Sequence, residues 1–176
     1  MYRNEAGRGW SELVEAGGSG HLQKGHGVAF GDVDNDGDLD LFHQLGGFFA
    51  GDAYFNALYE NPGSGNSWIT LRFRGEGANP FAIGARVEIR LPEGVRPRTV
   101  HALVGSGGSF GGSSLQQEIG LGGAGSIESV RVRWPGGGVT AYPPVPVNGA
   151  YLADAPRTEL VPLELTPLRL GGEAAP

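Results

Sequence analysis

Five aspartates occupy alternate positions in Asp32-Val33-Asp34-Asn35-Asp36-Gly37-Asp38-Leu39-Asp40. Side chains spaced this way converge on one point if the backbone between them turns sharply. Calcium takes roughly six to eight oxygens, many from carboxylates. Asp32, Asp34 and Asp36 stand at the first, third and fifth positions of such a loop. Gly37 follows at the sixth, where the turn is hostile to a side chain. Asp38 is expected to offer its backbone carbonyl, and Asp40 a carboxylate that closes the site. A purely solvated acidic turn fits poorly, because carboxylates this dense repel one another unless a cation neutralises them. Leu39 and Leu41 also require the neighbouring chain to be packed. The metal-ligand candidates are therefore Asp32, Asp34, Asp36, Asp38 and Asp40, and the cofactor is Ca2+. Magnesium suits the set less well, since it prefers fewer carboxylates and retained waters. The twelfth position, where a helical EF-hand carries glutamate, is His43, and the flanks are strand-like.

The elements that must hold this loop are strands. Gly27-Val28-Ala29-Phe30-Gly31 enters it and Leu39-Asp40-Leu41-Phe42 leaves it, as in a strand–loop–strand hairpin. One short strand is expected within residues 1–20. Another covers Ala57-Leu58-Tyr59-Glu60 and stops at the turn Asn61-Pro62-Gly63. Beyond residue 66 the chain alternates apolar and polar residues with period two. Ile69, Leu71 and Phe73 alternate with arginines and threonine, as do Ala85, Val87, Ile89 and Leu91, and then Val130, Val132 and Trp134. Residues 99–104 and 115–121 are weaker strands of the same kind. Strands with one wet face belong to antiparallel sheets. No stretch holds a helical period over three turns. The predicted fold class is all-β: a single propeller-blade-like calcium hairpin unit packed against a small antiparallel sandwich or barrel. Its parts are residues 1–65, 66–142, and a Pro-rich linker and extended tail over 143–176. The proline-broken tail is an edge strand at best, expected to add to a neighbouring molecule.

Composition narrows the function. The chain has 176 residues, 33 of them glycine and 12 proline, which favours short strands and tight turns. Its net charge is −6, with basic residues scattered singly, so nucleic acid is not an expected partner. No apolar run approaches the roughly 20 residues of a membrane-spanning helix. There is no cysteine, hence no disulfide framework and no thiolate metal site. Met1-Tyr2-Arg3-Asn4-Glu5 does not read as a signal peptide, so a processed or trimmed piece, or another export route, is expected.

The stretch from Gly27 to Leu41 resembles an FG-GAP/VCBS repeat, the calcium-binding blade unit of integrin-α-type propellers. Tyr2-Arg3-Asn4-Glu5 is similar to the end of a preceding blade, and Leu58-Tyr59-Glu60-Asn61 repeats that signature one blade later. Residues 66 to about 142 resemble the ASPIC/UnbV domain. The pieces are Asn66-Ser67-Trp68-Ile69-Thr70-Leu71, Ala82-Ile83-Gly84-Ala85-Arg86-Val87, Gly105-Ser106-Gly107-Gly108-Ser109-Phe110, Ile119-Gly120-Leu121-Gly122 and Val130-Arg131-Val132-Arg133-Trp134-Pro135. The resemblance implies an extracellular or periplasmic location, calcium-stabilised blades, and a role in adhesion or assembly without catalysis. A propeller needs about four to eight blades. A lone blade must therefore pack on the following domain, on copies of itself, or on sequence outside the chain. A homo-oligomer or filament is expected, with another extracellular protein or a glycan as alternative partners; the alternative functions are a carbohydrate-binding or cell-adhesion module, or an accessory domain of a larger secreted enzyme.

Other constellations carry less. Gly105-Ser106-Gly107-Gly108 lacks the strand-to-helix setting and the Gly-Lys-Ser/Thr of phosphate loops, and reads as a β connection. His21, His26, His43 and His101 are too dispersed for a metal site. Asp52, Glu60, Glu76, Glu88 and Glu118 show no spacing that selects a glycosidase pair. Phe48-Phe49, beside Gly46-Gly47, is a candidate protein contact, and Asp52 a candidate further calcium ligand.

Overall fold

A computed structural model describes residues 2–13, 24–47, 49–92, 98–105, 107–108, 112 and 114–170. They contain thirteen strands and no helix. β1 (Tyr2–Asn4) and β2 (Trp10–Glu12) form a two-stranded ribbon. β3 (Gly25–Gly31), β4 (Asp40–Leu45) and β5 (Ala57–Tyr59) form an antiparallel sheet in that order, with the aspartate loop joining the first two.

The rest of the fold is two four-stranded sheets. In one, the order is β11 (Val139–Tyr142), β10 (Ser129–Arg133), β7 (Arg86–Leu91) and β8 (Arg98–Leu103). In the other it is β13 (Val161–Leu163), β12 (Gly149–Asp154), β6 (Ser67–Arg74) and β9 (Gln117–Gly122). Period-two alternation decides what goes inside. Ile69, Leu71 and Phe73 of β6 join Val87, Ile89 and Leu91 of β7, Ile119 and Leu121 of β9, and Val130 and Val132 of β10 in one buried cluster. Arg72, Arg86, Arg90 and Arg131 face outward. The sheets thus share one core as a sandwich, and neither closes into a barrel.

Two features depart from the sequence reading. The second sheet is mixed, because β12 lies parallel to β6, with Tyr151 opposite Leu71 and Ala153 opposite Phe73. That strand falls in the stretch read as linker and tail. It is an interior strand, buried on both faces at Ala150, Tyr151, Ala153 and Asp154, so it shows no polar alternation to read. β13 is an edge strand, as its prolines require, but it pairs with the chain's own β12 rather than with a neighbour.

Candidate metal centre

The aspartate loop is built by its own side chains. Two residues take left-handed backbone, Asn35 at φ 59° and Gly37 at φ 96°. Asparagine tolerates that region and glycine adopts it freely. At Gly37 a Cβ would also run into the indole of Trp68, the second residue of β6. The tight turn points successive amides at the carboxylates. Asp36 N–H donates to Asp32 Oδ1 at 3.0 Å and Gly37 N–H to Asp32 Oδ2 at 3.1 Å. Asp38 N–H donates to Asp36 Oδ1 at 2.9 Å.

Asp40 ties the loop to its surroundings. Its Oδ2 accepts from Val33 N–H and its Oδ1 from Asn61 N–H, both at 2.9 Å. One carboxylate thereby joins the loop entrance, the start of β4 and the turn after β5. Asn61 adds a bond from its side-chain amide to the Leu39 carbonyl and accepts one from Gly63 N–H.

Three of the five aspartates converge. Carboxylate oxygens of Asp32, Asp34 and Asp40 lie within 4.8 Å of one another. Asp34 and Asp40 are only 6% and 2% exposed. Asp36 is exposed and stands outside this group, as does Asp38, whose carboxylate lies over Gly63. Burial raises the pKa of Asp32 despite the two backbone N–H donors, and the charges of Asp36 and Asp34 push the same way. Asp34 is raised first by burial, then by the charges of Asp36 and Asp40. A divalent cation would relieve the repulsion among anions held this close, two of them almost fully buried. Oxygen-only donors of this type suit calcium.

The loop also touches the sandwich, against which the sequence led the hairpin unit to be expected. Trp68 lies against Gly37, and Glu118 of β9 feels the charge of Asp32, its own carboxyl held above the usual range chiefly by burial. Thr70, on the same face of β6 as Trp68 and away from the core, is fully buried, and its hydroxyl has no hydrogen-bond partner among the described residues.

The other candidates lie elsewhere. Asp52 joins a glycine-rich turn through its backbone, donating to the Phe49 carbonyl and accepting from Gly47 N–H, and is not in the aspartate group. Phe49 is 58% exposed with the Lys24 ammonium 4.5 Å from its ring centroid. Phe48, Val14, His21, Ser106, Ser109 and Phe110 lie outside the described residues. A groove between β6 and the 80–81 and 114–116 segments is lined by Arg72, Arg74, Phe81, Gln116 and Leu152, with no acid or histidine among the described residues of its wall. Arg72 is bonded to Gln116 and Arg74 to Asp154.

One stretch of the chain matches a known family. Residues 75–159 match the family described as ASPIC and UnbV. The ASPIC and UnbV stretch begins just after β6 and runs through β12, so it includes all of the first sandwich sheet and β9 and β12 of the second, and it extends past residue 142, the limit expected from sequence. The aspartate hairpin lies before it. Among curated proteins no relative of the chain was found.

Proposed function

We propose that this chain is a non-enzymatic, calcium-stabilised structural and interaction module that works outside the cytoplasm. In this reading the aspartate hairpin is a blade of the FG-GAP/VCBS type set on the ASPIC/UnbV sandwich. The observation that carries it is the convergence of Asp32, Asp34 and Asp40, two of them almost fully buried. These three would hold the ion, with the Asp38 carbonyl and waters available to complete its shell. The ion's chemistry is charge neutralisation: it allows a loop of repelling carboxylates to keep one shape.

The interaction part rests on the blade. Val28 and Phe30 on one face of its sheet, and Phe42 and Leu58 on the other, are each 42–47% exposed. Apolar side chains on both faces of so small a sheet suit contact with further sheets of the same kind. The occupant we favour is a second copy of this chain. Light scattering across a concentration series should show mass above that of one chain, and Phe42→Ser with Leu58→Ser should reduce it. A single-chain mass at all concentrations would remove self-association from the reading. Calorimetric titration of the metal-free chain should show one calcium ion bound, and a flat titration would remove calcium.

A further inference from the structure

We propose that residues 164–168 form a clasp, fastening the aspartate loop to the sandwich so that cation binding and docking of this segment reinforce each other. The inference rests on the calcium reading above. After β13 the chain leaves the second sheet and runs back to the loop, more than a hundred residues away in sequence. Leu168 N–H donates to the Asp34 carbonyl at 2.6 Å. The side-chain amide of Asn35 donates to the Thr166 carbonyl at 3.0 Å. Both bonds reach the loop at Asp34 and Asn35, in the turn between the second and third aspartates. Pro167 lies between the two and has no N–H to give, so no second donor stands between the Thr166 carbonyl and the Leu168 N–H.

Both loop partners depend on the shape of the turn. The Asp34 carbonyl and the Asn35 amide point at the segment only while Asn35 holds its left-handed backbone, at φ 59°. In that same turn Asp36 N–H donates to Asp32 Oδ1 and Asp34 Oδ1, beside the converged carboxylates of Asp32, Asp34 and Asp40. The far end of the segment is fixed independently. Leu163 pairs with Ala150 on β12, and Leu160 is buried in the core cluster. A cation that orders the turn therefore presents the docking partners, and a docked segment holds the turn ready for the cation. Such coupling is reciprocal by thermodynamic necessity.

The test compares calcium affinity and amide exchange in three proteins: the full chain, the full chain with Asn35→Gly, and a chain ending at Leu163. Asn35→Gly keeps the positive φ accessible and removes only the amide. The chain ending at Leu163 should bind calcium at least about fivefold more weakly than the full chain. Asn35→Gly should show part of that loss, and it carries the comparison if the shortened chain does not fold. In the full chain, exchange at Leu168 N–H should accelerate when calcium is chelated. Equal calcium affinity in all three proteins, or exchange at Leu168 indifferent to calcium, overturns the clasp and leaves calcium binding standing. A full chain that binds no calcium overturns both.

Discussion

The five aspartates of the hairpin have different jobs. Asp40 accepts two backbone N–H bonds and is 2% exposed, so it holds the loop even without metal. Asp40→Ala should lower the stability of the chelated protein by about 1–2 kcal/mol, because it orphans both donors. Asp36 is exposed and outside the convergent group, so Asp36→Ala in the same chelated protein should cost well under half of that. Denaturant midpoints of the two variants check the ordering, and equal losses would contradict it. Asp34→Asn separates charge from shape. Without calcium it removes a like charge from beside Asp36 and Asp40, so the melting temperature should hold or rise. With calcium it removes a ligand, so the same variant should melt below wild type. A variant that shifts in the same direction in both buffers would count against the electrostatic reading.

Among the elements, β6 joins the two halves. Its inward residues build the sandwich core, and its outward Trp68 lies against Gly37 of the loop. Gly37→Ala meets two obstacles, a φ of 96° and the Trp68 indole, and should cost more than about 1 kcal/mol by thermal melting. Thr70→Val replaces a buried hydroxyl lacking a partner with a methyl of similar shape. It should leave stability unchanged or raise it by about 1 kcal/mol, and a clear loss would mean that the hydroxyl is satisfied. The strands that were legible in sequence are those with one wet face. β6, β7, β9 and β10 alternate because one side meets the core and the other meets solvent. β12 was not legible, since an interior strand of small and aromatic residues has no polar beat, and its parallel pairing with β6 needs a crossover that no local pattern announces. In the loop, the alternating aspartates and Gly37 were readable because the turn is local. The exclusion of Asp36 and Asp38 from the convergent group, the Trp68 contact and the return of residues 164–168 were not, because they depend on distant chain.

For the molecule as a whole, two kinds of stability coexist. The sandwich is held by a buried cluster of apolar side chains. Its Tyr142 is 2% exposed, sits near the Asp154 backbone carbonyl, and has its pKa pushed up to about 12, first by burial and then by the Asp154 charge. A folded-state pKa above the ordinary value of about 10 stabilises fully below pH 10 and loses that contribution as pH rises toward 12. Denaturant midpoints should therefore hold up to about pH 10 and fall above it, with a shallower fall in Tyr142→Phe. The hairpin, by contrast, carries apolar residues half exposed on both faces and a carboxylate group that resists closing. On the proposed reading, its order depends on charge neutralisation and on the copy that covers its sheet.

Thermal melting of the full chain in excess calcium and in excess chelator separates these contributions. At a hundredfold excess over the dissociation constant, calcium should add about 2.7 kcal/mol. For a chain of 176 residues that raises the melting temperature by roughly 5–10 °C. Superimposable melting curves in the two buffers would mean that Asp32, Asp34 and Asp40 hold no ion.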